Sequence, residues 1–63
     1  MHNINQITTL QIGESVEIHA HEHPGADRSI RLINHANILA QKADITITTE
    51  KIDNFTILVT RTA

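Results

Sequence analysis

The hydrophobic period changes twice along this chain, and Pro24-Gly25 marks the first change. From Ser15 onward, Val16, Ile18 and Ala20 alternate with Glu17, His19, His21 and His23, the period of two that belongs to a half-buried strand. After Pro24-Gly25, Leu32, Ile33, Ala36, Leu39, Ala40 and Ala43 fall on one stripe at about 100° per residue, the pattern of a helix lying on a sheet. Asp27 or Ser29 can cap that helix. Alternation then returns in "DITITTE" and in "NFTILVTRT", where Phe55, Ile57 and Val59 oppose Thr56, Leu58 and Thr60. Between those two runs, Asp53-Asn54 supplies residues that tolerate the left-handed conformations of a tight hairpin.

The order strand, helix, strand, strand predicts an α+β fold of β-α-β-β type. One helix packs on a small, mainly antiparallel three-stranded sheet. The expected organisation is a single domain over residues 1–63: a polar lead-in 1–12, a strand 14–23, a helix 27–43, and strands 44–50 and 54–62. Gly13 is expected to form the turn that feeds the first strand.

Length sets the next constraint. A domain of 63 residues buries only about 60% of the surface its unfolded chain exposes. There is no cysteine, so neither a disulfide nor a thiolate zinc site supplements the thin core. Domains of this kind gain stability from a partner, which makes a homodimer or a bound target the expectation. No apolar run of membrane-spanning length exists, and "MHNINQITTL" lacks the pattern of a signal peptide; the expectation is a soluble, cytoplasmic protein that does not engage membranes.

Five Lys and Arg against seven Asp and Glu give a net charge of −2, the wrong sign for coating a phosphate backbone. With one Phe and neither Trp nor Tyr, there is no aromatic platform for stacking bases. Nucleic acid is therefore a disfavoured partner, although Arg28, Arg31 and Lys42 would contact phosphates if they share one surface.

His19 and His21 are the candidate metal ligands. On an extended strand they project from one face about 7 Å apart, within reach of a common cation. His23, about 13 Å from His19 on the same strand, joins only if the chain turns at Pro24. Further ligands would come from Glu17, Glu22, His2, His35 or a second subunit. The competing reading, which the pattern favours, makes Glu17, His19, His21 and His23 the solvated face of the strand. No cofactor is expected.

Ser15 and Ser29 lack a nucleophile elbow, and no glycine-rich phosphate loop is present. Glu14, Glu17 and Glu22 belong to an exposed edge. The expectation is a protein that is not an enzyme. The feature that fits binding instead is Ile38, which lies nearly opposite the apolar helical stripe, among Arg31, Asn34, Gln41 and Lys42.

Three segments, "LQIGESVEI", "SIRLINHANILAQK" and "TTEKIDNFTILVTR", resemble small phage and prophage proteins of strand-helix-hairpin type. That group more often has Gly where Asn54 stands, and is richer in basic and aromatic residues. The resemblance implies a non-enzymatic protein that binds and inhibits, or adapts, a macromolecular machine of a bacterial host, an anti-CRISPR protein being one instance. The expected contact residues are Arg31, Asn34, Ile38 and Lys42, with Arg28 beside them. "VEIHAHEHPGADRSI" is also similar to part of the TusA-like sulfur-relay carriers, but their Cys-Pro-x-Pro motif is missing, which rules out sulfur transfer. A small nucleic-acid-binding regulator and a His-based metal module are the alternatives.

Overall fold

The computed structural model describes residues 4–22 and 25–63. His2, His23 and Pro24, each given a role above, lie outside the described residues. The chain runs through a 3-10 helix (Ile4–Thr9), strand β1 (Ser15–His19), helix α1 (Ser29–Ala43), and strands β2 (Ile47–Asp53) and β3 (Thr56–Arg61). The sheet has the order β1-β3-β2 with both pairs antiparallel, so the expected α+β architecture of one helix and a three-stranded sheet is the one found.

Register explains the burial. Val16 pairs with Val59 and Ile18 with Ile57, which puts all four on the face covered by α1. All four are buried, together with Ala36 and Ala40 of the helix. Two alanines at the centre of the helical stripe let the backbone approach the sheet closely, while Leu32, Ile33, Ile45 and Ile47 pack around the rim.

The lead-in corrects the sequence reading. It forms the 3-10 helix, and its Ile7 is fully buried in the core, with Ile4 and Leu10 packed against the same cluster. Thr8 and Thr9 Oγ1 donate to the carbonyls three residues back, at 2.9 and 2.8 Å. The chain then turns at Gly13, whose φ of +90° suits glycine, and Glu14 N donates to Gln11 O at 2.9 Å across that turn.

Strand β1 ends at His19, not His23. One further ladder bond, Ala20 N to Phe55 O at 2.8 Å, closes it. Neither Asp27 nor Ser29 is the N-cap: Arg28 holds that position with no side-chain cap hydrogen bond, and Ser29 is the first helical residue. Asp27, one residue ahead of the cap, accepts through Oδ1 from Ser29 N at 2.9 Å and from Ser29 Oγ at 2.5 Å. At the other end, Asp44 takes a left-handed φ of 58°. There Ile45 N donates to Ala40 O and Asp44 N to Gln41 O, the paired bonds of a Schellman ending.

The hairpin also differs from expectation. Its two-residue loop is Asn54-Phe55, and neither Asp53 nor Asn54 enters the left-handed region. Asp53 Oδ1 instead accepts from Phe55 N at 2.8 Å, a bulge between Lys51 and Asp53 takes up the twist, and Arg28 N donates to Asn54 O at 2.6 Å.

Candidate functional site: the outer face of the helix

Once the small residues of α1 face the sheet, its opposite side is fixed by helical geometry. Arg31, Asn34, Ile38 and Lys42 are all exposed there, and Arg28, just before the helix, is half-buried. The structure adds a residue that sequence reasoning missed. Ile30 is 62% exposed, more open than Ile38 at 50%, and Ile30, Asn34 and Ile38 follow one another at single-turn spacing. That i, i+4, i+8 recurrence was the signal available in the sequence. It was obscured because Ile30 lies at the edge of the outer face, in the first turn.

The charges on this face are unopposed. Lys51 Nζ is bound to Asp27 Oδ2 at 2.8 Å, and Arg61 donates through Nη1 to Leu10 O at 2.8 Å and through Nε to Ala63 O at 3.1 Å. The remaining cations, Arg28, Arg31 and Lys42, have no side-chain partner among the described residues. Helix α1 contains no Asp or Glu. Lys42 in the last turn also favours the helix dipole, a structural role that does not compete with contact to a partner.

The other side of the molecule has the opposite character. Ser15, Glu17 and His19 face away from the helix, and their partners across β3 are Thr60, Leu58 and Thr56. Thr48 and Glu50 of β2 extend the same rows. Among the described residues, this outer sheet face holds no Lys or Arg.

His19 belongs to that face. Its Nδ1 shares a hydrogen bond with Thr56 Oγ1 at 3.0 Å, and its Nε2 lies 3.9 Å from Glu17 Oε2. His21 lies beyond the end of β1, so the extended strand expected to present both imidazoles stops at the first of them. His35 is on α1, across the sheet from His19. Among the described residues, no three His, Asp or Glu side chains come together as a metal site. Ser15 Oγ is bonded to Thr60 Oγ1 at 2.7 Å, Ser29 is buried against Asp27, and Glu14 Oε1 accepts from Gln11 N at 2.6 Å. Each of these groups completes a turn or a strand contact. Glu22 is exposed beyond β1.

Asp27 forms a latch with Lys51 and Ser29. The Lys51 ammonium, then the hydroxyl and amide of Ser29, hold its carboxyl down to about 2 from an ordinary 3.8. It joins the start of α1 to β2 and fixes the end of the helix from which Ile30 and Arg31 project.

Among the described residues, no helix is long and apolar enough to cross a membrane. Compared with protein-family models, curated proteins and solved structures, the chain matches none.

Proposed function

We propose that this chain is a small non-enzymatic binding protein, an inhibitor or adaptor that engages a protein partner stoichiometrically through the outer face of α1. The observation that carries this reading is the pairing of two exposed isoleucines, Ile30 and Ile38, with unpartnered Arg31 and Lys42 on a helix free of carboxylates. Full burial of one such isoleucine contributes about 1.5–3 kcal/mol, enough for two of them to anchor a contact. The flanking cations select for a partner whose apolar pocket is rimmed by carboxylates. Arg28 and Asn34 extend the contact surface. The resemblance to small phage proteins supports a partner in the cytoplasm of a bacterial host, and the thin core supports a second copy of the chain as an additional partner.

Capture of partners from a bacterial lysate by the tagged protein, with and without nuclease, tests the reading when run beside Ile38→Asp. A protein that wild type captures after nuclease, and that Ile38→Asp loses while keeping its circular dichroism, is the expected result. Partners that vanish with nuclease would transfer the face to nucleic acid, with Arg28, Arg31 and Lys42 as phosphate contacts. Capture unaffected by Ile38→Asp would remove this face from the reading.

A further inference from the structure

In the sheet order β1-β3-β2, one edge of β2 is left unpaired, on a different part of the molecule from the outer helix face. Thr46 directs both backbone groups at the tail of β3, donating to Ala63 O at 3.0 Å and accepting from Thr62 N at 2.9 Å. Alternation along an antiparallel ladder then turns Thr48 and Glu50 inward to β3, and Ile47 and Thr49 outward. The outward N–H and C=O groups of Ile47 and Thr49 have no partner among the described residues. Edge lysines normally discourage pairing, but Lys51 is drawn back to Asp27 at 2.8 Å. The bulge after Lys51 ends the run that can pair.

We propose that two copies of the chain pair antiparallel through β2, with a two-fold axis at Thr49, to make a continuous sheet of order β1-β3-β2-β2-β3-β1. This register sets Thr49 against Thr49, Ile47 against Lys51 and Thr48 against Glu50, so no like charges stand directly opposite. Moving the axis to Glu50 would oppose two carboxylates, and moving it to Thr48 would shift Lys51 opposite Ile45, outside β2. The axis at Thr49 thus combines the longest overlap with the best charge pairing. It is perpendicular to the sheet, so both helices lie on one side and both outer helix faces stay open.

Sedimentation velocity over a broad concentration range, with amide hydrogen exchange of Ile47 and Thr49, tests the proposal. Wild type is expected to sediment as a dimer whose Ile47 and Thr49 amides gain protection as concentration rises. Thr49→Pro removes only an outward N–H, and Thr49→Lys opposes two ammonium groups across the axis. Each is expected to raise the dimer dissociation constant roughly tenfold or more, about 1.4 kcal/mol, the lysine variant recovering in high salt. Should Thr49→Pro lose its fold, Thr49→Lys carries the test alone. A wild type that stays monomeric at every concentration, or a dimer indifferent to Thr49→Lys, overturns the proposal. Ile38→Asp is expected to dimerise normally, which keeps a failure of the edge distinct from a failure of the helix face.

Discussion

Asp44 adopts a conformation that L-residues other than Asn and Asp avoid, and it does so where a helix most often employs glycine. Its carboxylate also lies at the negative end of the helix dipole. Asp44→Gly relieves both costs and adds only the greater freedom of glycine in the unfolded chain. The expected net gain is about 0.5 kcal/mol, a rise of ~2–4 °C in Tm for a domain this small, with Asp44→Asn falling between the two in calorimetry. Asp27 presents the opposite case, a carboxyl whose folded form is favoured. Because its folded pKa of about 2 lies below the ordinary 3.8, its contribution is fully present above pH 3.8 and is lost as pH falls through 2. Urea titrations of Asp27→Asn beside wild type should show a stability gap at neutral pH that closes between those values; a constant gap would mean that Asp27 acts through its shape alone. Neither residue announced its role in the sequence. Asp27 is a capping type of residue, yet Arg28 takes the N-cap, and the bond of Asp27 to Lys51 spans two elements that only the fold brings together. For Asp44, no local pattern separates a left-handed aspartate from an ordinary one.

At the scale of elements, periodicity carried most of the reading. Alternation identified Val16 and Ile18 as core, and the 3.6-residue period placed Ala36 and Ala40 inside with Ile38 outside. The lead-in is as apolar as the rest of the chain, but its Ile4, Ile7 and Leu10 recur at the three-residue period of a 3-10 helix, which matches neither the alternation of a strand nor the stripe of an α-helix. The hairpin boundaries shifted because the Asp53 side chain and a bulge replaced left-handed backbone, a substitution that composition does not reveal. The metal reading required an extended strand as far as His21, and strand length is set by the partner: β3 offers β1 no residue beyond Phe55. If the 3-10 helix completes the core, Ile7→Ala should cost about 2–5 kcal/mol in urea unfolding, while Ile12→Ala, at a site 67% exposed, should stay within ~0.5 kcal/mol of wild type. Equal effects would show that the lead-in is only loosely attached.

For the whole molecule, the net charge of −2 conceals a division of charge between two faces. Helix α1 carries Arg31 and Lys42 without an acid, and the outer sheet face carries Glu17 and Glu50 beside His19, with no Lys or Arg among the described residues. The total was visible in the sequence and argued against bulk attraction to phosphate, but the division depends on register, which pairs Glu17 and Glu50 with the same Leu58. Such a molecule approaches a charged surface in one preferred orientation. A partner with carboxylates around an apolar pocket meets the helix first and is repelled by the sheet, so charge should govern the rate of encounter while Ile30 and Ile38 govern residence. With the partner captured by wild type, the double variant Arg31→Glu, Lys42→Glu is expected to lower the association rate by about tenfold or more at low salt, with the difference shrinking as salt screens it. Glu17→Gln with Glu50→Gln should leave that rate within roughly twofold, since those groups face away from the encounter. Surface plasmon resonance across ionic strengths separates the cases: a salt-independent rate in wild type, or a faster one after charge reversal, would show that the partner docks elsewhere.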